Sequence, residues 1–207
     1  MTDKELKVAR YRELNKKALK GQIVFAGSSL MEMFPVERLL KEAGYQGVVY
    51  NRGVGGFTTA ELLDALNPCV LDLAPRRVFI NIGTNDLSDA SLSMAGIMER
   101  YDEILTRIQA ALPSVELYTM AYYPVNVEAA DPAMREVLLI RTNEKISLAN
   151  SGVRALAKKH GAKYIDVNDA LRDELGRLRE DYTIEGMHIK EEGYRAIIPA
   201  LLPFVEE

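Results

Sequence analysis

Only one cysteine, Cys69, occurs in the 207 residues, so no intrachain disulfide can form and nothing demands an oxidising compartment. No apolar run reaches the roughly 18 residues of a membrane span. Positive charge is not in excess: 26 Lys and Arg against 30 Asp and Glu leave a formal −4, which argues against a protein built mainly to hold nucleic acid. Histidine is scarce as well. His160 and His188 stand far apart, and with a lone cysteine they offer no zinc-ligand spacing, so no metal site is expected. The N-terminal stretch lacks the continuous apolar core of an export signal, and the expected location is cytoplasmic.

What the first twenty residues do contain is basic charge. Lys4, Lys7, Arg10, Arg12, Lys16, Lys17 and Lys20 stand against Asp3, Glu5 and Glu13 in a polar, helix-prone segment. Residues 1–20 are therefore read as a basic N-terminal helix ahead of a domain spanning 21–207. Val8, Tyr11 and Ala18 give that helix an apolar face, which would pack on its own domain or build a homo-oligomer. A membrane-surface role for the same helix is the rival expectation.

With 48% hydrophobic residues, the remainder is long enough for one domain with a sizeable core. Short apolar runs at Gln22–Ala26, Gly47–Tyr50, Arg77–Ile82, Val115–Met120 and Ala162–Val167 read as buried strands, the first three bounded by glycine. Helical segments separate them: Glu32–Ala43, a stretch from about Ala60 capped by Thr58 or Thr59, and Ala95–Ala111. A long stretch from Ala133 to His160 should bend near Ser151-Gly152, and Lys190–Leu202 follows. Alternating strands and helices of this length predict right-handed βαβ units and one doubly wound, five-stranded parallel sheet in a three-layer α/β/α domain. Chemistry in such sheets gathers beyond the carboxyl ends of the strands.

Four clusters fall there. Gly27-Ser28-Ser29-Leu30 follows the first strand and presents a serine at a helix start, where backbone N–H groups favour developing negative charge. Asn51-Arg52-Gly53-Val54-Gly55-Gly56 follows the second. Its glycines allow close backbone approach, but their spacing is not G-x-G-x-x-G and no Walker lysine follows, which disfavours dinucleotides and nucleoside triphosphates. Gly83-Thr84-Asn85-Asp86 follows the third and offers an uncharged amide donor suited to a transient oxyanion. Glu185-Gly186-Met187-His188 precedes the last helix, and its spacing lets a carboxylate reach one imidazole nitrogen while the other acts as base.

In this order the blocks resemble those of the SGNH, or GDSL-type, serine hydrolases over residues 22 to about 202. The resemblance implies a flavodoxin-like sheet, an ester substrate and hydrolysis through an acyl-enzyme on Ser29, with His188 as base, Glu185 as its partner and no need of a metal or organic cofactor. It implies an oxyanion hole built from Ser29, Gly56 and Asn85. Ser28 stands where the family has aspartate, a change associated with the platelet-activating-factor-acetylhydrolase-like branch, and leaves open which serine attacks. Glu185 also replaces an aspartate, and Asp181 is the alternative partner for His188. An acyl pocket is expected from residues near the strand ends, namely Leu30, Phe57 and Tyr122 with Met31, Met33, Phe34 and Tyr123. A short acyl group is favoured because no long lid insertion is visible. The rival to an enzyme is a silent α/β module that binds an acylated or phosphorylated ligand at the same edge.

Overall fold

The computed structural model describes residues 1–207. Helix α1 (Asp3–Asn15) leads into β1 (Ile23–Gly27), α2 (Ser29–Glu32), α3 (Val36–Glu42) and β2 (Val49–Asn51). Helices α4 (Thr59–Asp64) and α5 (Leu66–Cys69) precede β3 (Arg77–Asn81), α6 (Thr84–Leu87), α7 (Met94–Ala111) and β4 (Glu116–Met120). The chain closes with α8 (Pro132–Ile140), α9 (Asn143–His160), β5 (Lys163–Ile165) and α10 (Glu191–Glu206). All pairings are parallel and the strand order is β2-β1-β3-β4-β5, the doubly wound arrangement.

The alternation of side chains along β1 explains the two cores. Ile23 and Phe25 face one layer, with Phe79, Tyr118 and residues of α3 and α10. Val24 and Ala26 face the other, with Val78, Ile80 and residues of α4, α5, α7 and α9. Phe25 pairs in register with Phe79, and Phe79 with Tyr118, so three rings stack at 4.5 Å across the central strands.

Three helical segments depart from the expectation. The first opens earlier, at Ser29, and is interrupted at Pro35, whose ring and missing N–H stop it from running on. The long stretch breaks at Arg141-Thr142, where Thr142 caps α9 by accepting from Lys145 N–H at 3.2 Å. It is continuous through Ser151-Gly152. Gly152 is there for closeness rather than bending, since a Cβ would sit 2.6 Å from Met98 Sδ of α7. The last helix runs on to Glu206, and Pro199 and Pro203 both lie on its exposed side, where water can take the carbonyls they leave free.

Helix α1 packs on its own domain. Val8 is buried, and Tyr11 and Ala18 lie against the same core. The face formed by Lys4, Lys7 and Tyr11 reaches the glycine loop that follows β2: Lys4 Nζ donates to Gly56 O at 2.8 Å and Tyr11 Oη to Gly53 O at 2.6 Å. Lys7 bonds Glu32, which in turn accepts the Gly55 N–H at 2.7 Å. Arg52 lies between the rings of Tyr11 and Tyr50, 4.9 and 5.1 Å from their centroids. No helix is long and apolar enough to cross a membrane.

Candidate active site

At the carboxyl edge of the sheet, the strand order brings the ends of β1, β2 and β3 side by side, and each carries one of the sequence blocks. Ser29 begins the single turn α2, half-buried, directly after β1. Its Oγ lies 3.1 Å from His188 Nε2, to which the hydroxyl can donate. His188 Nδ1 is 2.6 Å from Glu185 Oε1, and the same oxygen accepts the His188 backbone N–H at 3.1 Å. The carboxylate therefore selects the tautomer with the proton on Nδ1, leaving Nε2 as an acceptor facing Ser29.

That turn is braced from several sides. Thr183 Oγ1 donates to His188 O at 3.1 Å and accepts the Gly186 N–H at 2.8 Å, while Ile184 N–H bonds His188 O at 2.8 Å. Gly186 adopts φ +92°, and its carbonyl accepts from Asn126 N–H at 2.7 Å. Tyr194, in the first turn of α10, donates through its hydroxyl to Leu30 O at 2.6 Å, tying the histidine side of the site to the serine helix.

The members of the two open pairs differ in their contacts. Ser28 is 1% exposed and its hydroxyl has no hydrogen-bond partner, whereas Ser29 meets the imidazole. Asp181 is held by Arg179 through bonds of 3.0 and 2.7 Å, which keep its carboxyl below the usual range, and it makes no bond to His188. His160 forms its own pair with Asp102 at 2.6 Å, but Gln109 occupies its other nitrogen at 2.7 Å and no hydroxyl is offered to it. Burial pushes the Cys69 thiol up to about 12, which removes it as a competing nucleophile.

Backbone donors in the glycine loop are nearly all committed. Gly53 N–H bonds Asn51 Oδ1, Val54 N–H bonds Gly27 O, Gly55 N–H bonds Glu32 Oε2 and Phe57 N–H bonds Val54 O. The Gly56 N–H has no partner in the protein, nor does that of Ser29. Gly56 is exposed and holds φ +77°, a conformation that turns its peptide away from the loop's own bonds and strains any side chain. Asn85, in α6, donates one Nδ2 hydrogen to Phe57 O at 2.8 Å and keeps the other free. Asp86 beside it accepts from Thr59 N–H at 2.9 Å and Thr59 Oγ1 at 2.5 Å, fixing α6 against the start of α4.

The residues expected to wall an acyl pocket are core residues. Leu30, Phe57 and Tyr122 are 3%, 3% and 1% exposed, and Tyr122 donates its hydroxyl to Ile82 O at 2.6 Å, beneath Gly83. Met31, Phe34 and Tyr123 are buried too, and of the set only Met33 is exposed. Arg141 went unnoticed in the sequence. Its guanidinium is buried at the end of α8 and donates to Asn85 Oδ1 at 2.9 Å. A lone arginine in a helix-prone run looks like a solvated face, and the one available signal was the capping threonine that follows it.

A five-stranded parallel sheet sandwiched between helices, with a serine, an imidazole, a carboxylate and free amide donors at its carboxyl edge, has the architecture of the SGNH hydrolases. Its likeness to an acetylxylan esterase from Geobacillus stearothermophilus supports that fold: 17% identity, 91% of this chain and 96% of the other covered, and a TM-score of 0.68. The chain belongs to the GDSL-like lipase/acylhydrolase family, whose model matches residues 33–196. It is a hydrolase acting on ester bonds. The family match begins past Ser29, so the serine block rests on its geometry. A Streptococcus pneumonia protein provisionally described as a platelet activating factor is 28% identical, with 98% of this chain and 92% of that one covered and a TM-score of 0.87. A provisional acylhydrolase from Bacteroides fragilis is 22% identical over 96% of this chain and 95% of its own, with a TM-score of 0.78. No curated protein matches the chain.

Proposed function

We propose that the chain hydrolyses a carboxylic ester with a short acyl group by acyl transfer through Ser29. The observation that carries this reading is the unbroken series Glu185–His188–Ser29, with bonds of 2.6 and 3.1 Å, beside N–H groups that the protein leaves uncommitted. Ser29 Oγ attacks the ester carbonyl as its proton passes to His188 Nε2, and Glu185 supports the imidazolium that forms. The carbonyl electron pair moves to oxygen, where the N–H groups of Ser29 and Gly56 and the free hydrogen of Asn85 Nδ2 receive it. As the tetrahedral centre collapses, the C–O bond to the leaving group breaks and His188 returns its proton to the departing alkoxide. Water then repeats the sequence on the acyl-enzyme, with His188 as base, and releases the acid and free Ser29.

The burial of Leu30, Phe57 and Tyr122 supports a short acyl group, because the residues that would form a long apolar channel are packed into the core. Exposed apolar side chains remain at Met33, one turn past Ser29, and at Ile184, beside Glu185. The test is hydrolysis of p-nitrophenyl esters from acetate to decanoate, paired with labelling by a fluorophosphonate probe. Activity falling steeply with chain length and labelling at Ser29 are expected. A protein that neither labels nor hydrolyses any of the esters would be a binding module instead. In the same assay Asn85→Ala should lose about 10²–10³ in kcat with little change in KM, because its donor acts on charge that exists only in the transition state.

A further inference from the structure

Arg141 occupies the break between α8 and α9 and is 3% exposed, yet it makes no ion pair. Its three hydrogen bonds go to Asn85 Oδ1 at 2.9 Å, Ser88 Oγ at 2.7 Å and Met187 Sδ at 2.7 Å. Asp86 is the acid whose charge it feels, but the Asp86 oxygens are taken by Thr59 and Arg100. A buried cation without a bonded carboxylate is costly, and an aliphatic side chain of similar volume would fill the space at less cost. Burial lowers the guanidinium to about 10, which still leaves it charged at neutral pH.

We propose that Arg141 is a positioning residue for the oxyanion hole, acting through Asn85. The carboxamide of asparagine has nearly the same shape in its two flipped orientations, so its neighbours decide which is adopted. Here a guanidinium, which only donates, faces Oδ1, and the Phe57 carbonyl, which only accepts, faces Nδ2. Flipping the amide would turn its NH₂ against the cation and its oxygen against a carbonyl. Arg141 thereby keeps the second Nδ2 hydrogen pointing at the reacting carbonyl, and its charge on the amide oxygen polarises the N–H toward a stronger donor. The contact with Met187 Sδ packs the guanidinium in place, and its influence on the reaction runs through the Asn85 amide.

The inference rests on the acyl-transfer reading, and a double-mutant cycle separates the two. Hydrolysis of p-nitrophenyl acetate is measured for Arg141→Met and Arg141→Lys, each with Asn85 intact and in Asn85→Ala, and thermal unfolding of every variant is followed. With Asn85 intact, Arg141→Met should lower kcat roughly 10–100-fold with KM changed less than about twofold, and Arg141→Lys should recover part of the loss. In Asn85→Ala the same substitutions should change kcat by less than about twofold, since their effect runs through an amide that is gone. Should Arg141→Met fail to fold, the cycle with Arg141→Lys carries the same expectation of coupling. Equal losses in both backgrounds, or no loss with Asn85 intact, overturn the proposal while leaving the Asn85 role standing. An unchanged kcat for Asn85→Ala alone overturns the oxyanion reading and the Arg141 proposal together.

Discussion

Replacing Ser29 by alanine is expected to lower kcat for ester hydrolysis on the order of 10⁴-fold or more, with KM nearly unchanged. The size follows from what is removed. Without the hydroxyl there is no acyl-enzyme, and the remaining donors can only stabilise a slow attack by water. Ser28→Ala is the necessary companion. Its hydroxyl is buried and unpartnered, so its loss should leave kcat within a few-fold of wild type and should not weaken the fold. Steady-state kinetics on one p-nitrophenyl ester, with fluorophosphonate labelling of each variant, reads both. Survival of activity in Ser29→Ala together with its loss in Ser28→Ala would move the nucleophile back by one residue.

Glu185→Gln should be almost as severe, at about 10³–10⁴-fold in kcat. The carboxylate accepts the Nδ1 proton of His188 at 2.6 Å and the His188 backbone N–H at 3.1 Å through one oxygen, and a glutamine offers both donors only a neutral oxygen. A neutral acceptor holds the Nδ1 proton less firmly, so the tautomer that leaves Nε2 free to take the serine proton is less favoured. The imidazolium of the transition state also loses its counter-charge. Because the substitution preserves size, the melting temperature should move by only a few degrees. Asp181→Asn is the control: that carboxylate is spent on Arg179 and lies 58% exposed, so its loss should leave kcat unaltered. A large loss in Asp181→Asn, with Glu185→Gln near wild type, would reverse the assignment.

Much of the sheet was legible because its strands are short apolar runs, with β1 and β3 buried on both faces and several runs followed by glycine. The site blocks were legible because a doubly wound sheet delivers the ends of β1, β2 and β3 to one edge, so a serine, a glycine cluster and an asparagine far apart in the chain converge. Other features depend on what a one-dimensional pattern does not carry. Gly152 looked like a weak point in a helix, yet α9 is continuous through it and the Met98 side chain of α7 packs against it. Leu30, Phe57 and Tyr122 had the composition of a pocket wall, and apolar residues near a strand end look the same whether they line a cleft or fill a core. Arg141 carried no sequence mark of its neighbours, because each of its three partners comes from a distant segment. Ser28 and Ser29, like Asp181 and Glu185, differ in their hydrogen-bond partners, which spacing alone does not determine.

The grip of α1 on the glycine loop has a consequence for how this protein fails when warmed. The free N–H of Gly56 sits on a loop whose shape is held by Lys4, by Tyr11 and by Lys7 through Glu32, three side chains of α1. Helix α1 buries only Val8 and Asn15, so it should open at lower temperature than the sheet it lies on. Catalysis should therefore fade over a range in which the stacked rings of β1, β3 and β4 still report an intact core. The turnover rate becomes the most sensitive thermometer of the N-terminal helix, ahead of any change in the spectrum of the fold.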